Sequence, residues 1–261
     1  MKINSLLGKL LKRPVLDSRT GHSILSERGN LDAAYPSDFS DEEKELIDGI
    51  REFTMTSSER MATLARAVDY IVHHDLRGDI VECGVWKGGS MMLVAQKLKR
   101  YNDTNRNLYL FDTFEGMSEP TDKDVSGVDN NTAKDLLGQA DRLSGDNVWC
   151  YSPLDDVRSN LYKTGYPNDK LIFVKGKVED TLPYPGMGPI ALLRLDTDWY
   201  ESTRHELHHL YDLIVPGGIL IIDDYGHWSG SRKAVDEFIK ERNLRIFLNR
   251  IDYTGRLAVK P

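Results

Sequence analysis

Apolar residues along this chain recur with two different periods, and the change falls at Gly78. Before it the spacing is helical. Residues 41–53 are acidic and amphipathic with Ser40 as N-cap. A second helix opens at Ser57-Ser58 and runs to about His73, with Met61, Leu64, Ala65, Val68 and Ile71 as its apolar stripe. After Gly78, short and almost wholly apolar runs at 79–83, 107–112, 170–175, 190–196 and 218–223 read as buried strands. Helical stretches at 89–100, 154–163, 200–213 and 230–242 alternate with them. This alternation predicts an α/β fold: a doubly wound, mostly parallel sheet with helices on both faces. Two final runs, 245–248 and 256–259, turn about 252–255 and predict an antiparallel C-terminal hairpin. Residues 1–76 are expected to form an N-terminal helical cap that could serve oligomerisation, and 77–261 the main domain. An insertion at about 113–168 begins with a polar, Gly-punctuated stretch too long for an ordinary loop, expected to be partly helical or a lid.

Composition narrows the function. A length of 261 residues suits one α/β domain, and 40% hydrophobic residues supply a core. The formal net charge of −7, with no basic block, argues against nucleic acid. Cys83 and Cys150 are the only cysteines, so neither a disulfide framework nor a cysteine-based zinc site can be built, which suits a reducing cytoplasm. No apolar stretch is long enough to span a bilayer. Near the N-terminus, Ile3, Leu6, Leu7, Leu10 and Leu11 share a helical face beside Lys2, Lys9, Lys12 and Arg13. Gly8 and Lys9 interrupt the run, so it does not read as a signal peptide. Docking on its own domain or on a second subunit is favoured over membrane contact, and a homo-oligomer is expected.

The ends of the strands carry the candidate chemistry. Asp196 and Asp198 follow one apolar run, Asp223 and Asp224 another. In an open α/β sheet the ligand crevice lies at the carboxyl ends of the strands, so these four carboxylates are expected to meet there. Such charge calls for a compensating cation, and oxygen-only ligation suits Mg²⁺, Ca²⁺ or Mn²⁺ better than Zn²⁺. The first strand runs into Glu82-Cys-Gly-Val-Trp-Lys-Gly-Gly-Ser90, a glycine turn that lets a ligand approach backbone amides at a helix start. Its Gly84-x-x-x-Gly88-Gly89 spacing differs from the nicotinamide-dinucleotide fingerprint. Asp112, ending the second strand, stands where a carboxylate accepts a ribose diol. Glu82 would repel a pyrophosphate. A nucleoside with a cationic or zwitterionic tail fits both acids, and S-adenosylmethionine is such a molecule.

Other readings of these residues are structural. Asp196 and Asp198 could cap a helix starting near Tyr200, Asp223-Asp224 could form a turn, Asp112 could cap its own loop, and Glu82 could pair with Lys87. Trp86, Trp199 and Tyr225 are candidate walls, although Trp199 and Trp228 are also natural packing residues. His205, His208 and His209 lie on one helix face but lack zinc-type companions. His227 is a reserve base.

These segments together resemble the macrocin O-methyltransferase family of Mg²⁺- and S-adenosylmethionine-dependent sugar O-methyltransferases, which includes a novobiocin-pathway enzyme. The resemblance rests on 55–61, 78–90, 111–116, 195–203 and 216–226. It implies a Rossmann-like class I methyltransferase sheet of seven strands. It implies Mg²⁺ (or Mn²⁺) at Asp196, Asp223 and Asp224, and Asp198 as general base. For the cofactor it points to Thr56, Ser57 and Ser58, to Glu82, Gly84, Trp86, Gly89 and Ser90, to Asp112 and Phe114, and to Asp196. Gly176, Val178 and Asp180 look like an adenine-side loop. The implied partner is a small-molecule acceptor, a sugar or glycoside. A catechol-type phenol methyltransferase and a non-catalytic cofactor-binding scaffold are the alternatives; a nicotinamide dehydrogenase is disfavoured by the glycine spacing.

Overall fold

Side chains along five parallel strands alternate between two hydrophobic cores, one on each face of a single sheet. The strands are β1 (Asp79–Cys83), β2 (Leu108–Asp112), β3 (Leu171–Lys175), β4 (Ile190–Leu195) and β5 (Ile214–Ile222); β6 (Asn249–Arg250) and β7 (Arg256–Val259) complete the sheet. The computed structural model describes residues 35–143 and 147–261. The expectation for the basic amphipathic segment at 2–13 lies outside the described residues. The strand order is β3-β2-β1-β4-β5-β7-β6, with β7 antiparallel to β5 and β6 antiparallel to β7.

Ile80, Leu108, Leu110, Leu192, Ile219 and Ile221 point to the first core. There they meet α1 (Asp41–Ile50), α2 (Ser58–His73), α3 (Gly89–Arg100) and α5 (Leu154–Tyr162). Their strand neighbours Val81, Cys83, Tyr109, Phe111, Leu193, Leu195, Leu220 and Ile222 point to the second core. That core is closed by α6 (Val178–Thr181), α7 (Tyr200–Leu210) and α8 (Ser229–Glu241). Period-two burial on both faces explains why these strands read as continuous apolar runs. The helix starts are written locally. Ser40 and Glu43 form a reciprocal capping box for α1, and Ser57 caps α2.

Two boundaries differ from expectation. Residues 245–248 form no strand: Leu244, Ile246 and Leu248 pack on the second core while Phe247 is 81% exposed. Pairing with β7 begins only at Asn249. Among its described residues the insertion contributes two helices, α4 (Ala133–Gln139) and α5; a bridge Val125–Thr132 closes it on itself, and a bridge Ser126–Trp228 ties it to the main sheet domain. No helix of the described residues is long and apolar enough to cross a membrane.

Candidate active site

The strand order reverses between β1 and β4, and a cavity opens at the carboxyl ends of the strands around that point. On its β1 side, Gly84 (φ 83°) passes so close to β4 that a Cβ there would sit 1.9 Å from the Asp196 carbonyl oxygen. Asp112 braces this turn. Its Oδ2 accepts the amides of Val85 (2.7 Å) and Trp86 (3.0 Å), and its Oδ1 accepts that of Phe114 (2.7 Å). Asp112 therefore caps its own loop and lines the cavity at once. Burial pushes its carboxyl up, against those three amides. Trp86 and Phe114 both take positive φ, 47° and 52°, conformations that side chains adopt only when the surroundings impose them.

On the other side, β4 and β5 pair in register, Leu195 opposite Ile222, so the two acid pairs emerge next to each other. Oxygens of Asp196, Asp198 and Asp224 lie within 4.8 Å of one another. Asp198 (φ 68°) brings a carboxylate oxygen within 4.8 Å of one on Asp224, and Arg194 bridges Asp196 and Asp223, so each pair reaches across to the other. Asp223 lines the same cavity but is engaged by two guanidiniums. One of its oxygens accepts from Arg60 and the other from Arg194 at 2.7 Å. Arg194 also bonds Asp196 (2.7 Å) and Glu82 (2.6 Å). The three residues that point to a common centre are thus Asp196, Asp198 and Asp224, rather than the expected set with Asp223.

The carboxylates outnumber the arginines. Burial raises Asp196 to about 7, with Arg194 opposing and Asp223 adding to the rise. Desolvation and the charges of Asp198, Asp196 and Asp223 hold Asp224 well above the carboxylate range. Asp223 itself is lowered by Arg194 and Arg60, which together outweigh its burial. The donor set is oxygen-only and short of positive charge, which fits a hard divalent cation.

Among the expected cofactor contacts, Thr56, Gly84, Trp86, Gly89, Ser90, Asp112, Gly176, Val178 and Asp196 line this cavity. Five others stand behind it. Ser57 caps α2 and bonds Asp252 (2.7 Å); Ser58 bonds Glu59; Phe114 is buried against Phe173 in the first core; Asp180 sits on α6. Glu82 is 1% exposed, and its register position opposite Arg194 explains why that guanidinium, and not Lys87, is its partner. Its buried carboxyl is pushed up to about 8. Of the expected aromatic walls only Trp86 lines the cavity. Trp199 packs edge-on to Trp228, and Tyr225 bonds Asp236. His227 does line it, 3.4 Å from the Tyr253 hydroxyl, whereas the α7 histidines do not. Sequence reading missed the walls from the insertion (Met117, Ser118, Val148, Cys150) and from the hairpin turn (Tyr253, Thr254). No spacing rule brings those segments to the strand ends.

A mostly parallel seven-stranded sheet with an antiparallel C-terminal pair, and a ligand crevice at the reversal of strand order, is the architecture of a class I methyltransferase. The family model of macrocin-O-methyltransferase (TylF) matches residues 30–259, and the chain belongs to that family of O-methyltransferases. It is 35% identical over 202 residues to the 8-demethyl-8-(2,3-dimethoxy-alpha-L-rhamnosyl)-tetracenomycin-C 4'-O-methyltransferase of Streptomyces olivaceus, covering 77% of this chain and 73% of the relative. It is 29% identical to the demethyldecarbamoylnovobiocin O-methyltransferase of Streptomyces niveus over the same shares. Among solved structures it resembles the O-methyltransferase NovP, with a TM-score of 0.69 and 28% identity, over 80% of this chain and 82% of that one.

Proposed function

We propose that this protein transfers a methyl group from S-adenosylmethionine to a sugar hydroxyl of a glycosylated small molecule, aided by a divalent cation such as Mg²⁺ or Mn²⁺. The observation that carries the reading is the opening of two features on one cavity: the braced glycine turn and the three converging carboxylates. Family membership, and relatives named as O-methyltransferases of a rhamnosyl-tetracenomycin and of demethyldecarbamoylnovobiocin, support the acceptor class.

The glycine turn and the amides opening α3 receive the donor, with Asp112 offering its remaining lone pairs to the ribose. Asp196 and Asp224 would hold the cation, which when bound favours the ionised form of a nearby hydroxyl. Asp223 acts through the Arg194 guanidinium that it shares with Asp196. Asp198 accepts the proton of the acceptor hydroxyl. The oxygen attacks the methyl carbon; the C–S bond breaks with its electron pair on sulfur, leaving S-adenosylhomocysteine and the methyl ether. The walls supplied by the insertion and by Trp228 keep water from the charged centre and orient the acceptor.

The test is mass spectrometry of products from S-adenosylmethionine with a panel of deoxysugar glycosides and catechols, with and without EDTA. Methylated glycosides, lost in chelator and restored by Mg²⁺, are the expected result. Methylation of catechols alone would defeat the sugar assignment, and full activity in chelator the metal.

A further inference from the structure

Helix α7 begins two residues after Asp198, and its N-cap residue, Trp199, makes no side-chain capping bond. The cap comes from the insertion. Asp124, fully buried at 0% exposure, accepts the Tyr200 amide on Oδ1 at 2.8 Å. Its Oδ2 accepts the Thr121 amide (2.7 Å) and hydroxyl (2.9 Å). The same Oδ1 abuts the first turn of α8: a Cβ on Gly230 would stand 1.9 Å from it. Neighbouring backbone completes the attachment. The Ser229 amide donates to the Val125 carbonyl (2.9 Å), the Ser229 hydroxyl to the Lys123 carbonyl (2.7 Å), and the Gly127 amide to the His227 carbonyl (2.6 Å). One buried carboxylate thus sits at the amino ends of both helices that follow the acid pairs, where helix dipoles favour negative charge.

We propose that Asp124 is a positioning residue for methyl transfer. By capping α7 it fixes the start of the helix that follows Asp198, whose carboxylate lies within 4.8 Å of Asp224. It also joins the insertion, whose Met117 and Val148 line the cavity, to both carboxylate loops, so the acceptor wall and the reacting groups move as one body. The inference rests on the methyltransferase reading of this site and adds a residue to it.

Asp124→Ala, Asp124→Asn and Gly230→Ala test it in the full chain, with Asp135→Ala, on the exposed side of the insertion, as control. Hydrogen exchange of 196–203 should accelerate in Asp124→Ala with or without metal, while exchange at 84–90 stays unchanged. Turnover and Mg²⁺ affinity should fall roughly 10–100-fold, the range for residues that orient ligating side chains. Affinity for S-adenosylhomocysteine, read by calorimetry, should stay near wild type. Asp124→Asn keeps an oxygen for the Tyr200 amide but turns an NH₂ toward the Thr121 amide, and should recover part of the loss. Gly230→Ala should reproduce it with Asp124 in place. The inference is overturned by unchanged exchange at 196–203, by faster exchange with undiminished turnover, or by a parallel loss of S-adenosylhomocysteine binding, which would mark general destabilisation. A wild-type protein that binds S-adenosylhomocysteine and turns over without metal would defeat the metal assignment above. It would leave exchange and turnover to judge Asp124.

Discussion

On the β1–β2 side of the cavity the site is held by backbone amides of one turn, whereas on the β4–β5 side four carboxylates are held by side chains from across the chain. Asp112 accepts from Val85, Trp86 and Phe114, all within the glycine turn or its own loop. Asp223 takes its hydrogen bonds from Arg60 on α2 and Arg194 on β4, and its carbonyl accepts from Thr254 of the hairpin turn. The first arrangement is geometric, one carboxyl and a set of backbone amides shaping a cradle for a nucleoside. The second is electrostatic, holding more negative charge than its arginines offset. A cradle tolerates small losses; a charge cluster does not, because removing one partner strands another in a low-dielectric site.

The largest effect should therefore lie on the acid side. Asp198→Asn keeps size and removes the base, and turnover should drop about 100- to 10,000-fold, the contribution of a positioned base. Calorimetry should show S-adenosylhomocysteine binding retained; wild-type turnover in this variant would strike out the assignment. Next comes Arg194→Met, which leaves Glu82, Asp196 and Asp223 facing one another. Denaturant unfolding should show about 3–5 kcal/mol lost, the cost of stranding buried charge. A variant as stable as wild type would mean that the carboxyls simply take up protons. On the cradle side, Asp112→Asn turns an NH₂ toward amides that need an acceptor. S-adenosylmethionine KM should rise about tenfold, within the cost of an unsatisfied buried donor, with kcat little changed. A fall in kcat alone would erase the distinction between the two sides.

This difference also governs what could be read in advance. The cradle was legible because glycines, a strand-ending acid and a helix start lie close together in sequence, and local steric rules connect them. The meeting of Asp196 with Asp223 was legible too, since parallel strands of this kind end at one edge. The roles inside the cluster were not. Asp223 reads like its neighbour Asp224, but register places Arg194 beside Glu82 and brings Arg60 onto Asp223. Which acid meets a cation and which meets an arginine is decided by three-dimensional pairing. Asp124 was invisible for the same reason: a cap is sought within a residue or two of the helix, and this one lies 76 residues away. The hairpin at 245–248 misled differently, because alternating burial against a core looks the same whether or not a neighbouring strand is present.

The smallest effect, and the finest test of charge excess on the acid side, concerns Glu206. Its side chain is fully buried; Oε1 accepts the Thr197 hydroxyl at 2.9 Å, and Oε2 has no partner among the described residues. Burial holds its carboxyl well above the usual range, with Glu179, Asp196 and Asp198 adding to the rise. The folded state therefore keeps a proton that the unfolded chain releases above about pH 4.5. Stability falls as pH climbs from there toward the raised folded value. Glu206→Gln preserves the acceptor for Thr197 and removes that titration. Its melting temperature should decline less between pH 5 and pH 8 than that of the wild type, so the gap between the two curves widens with pH. Parallel curves would show that Glu206 is charged in the folded protein. The excess on the β4–β5 side would then be larger than four aspartates and two arginines imply, and the demand for a cation stronger.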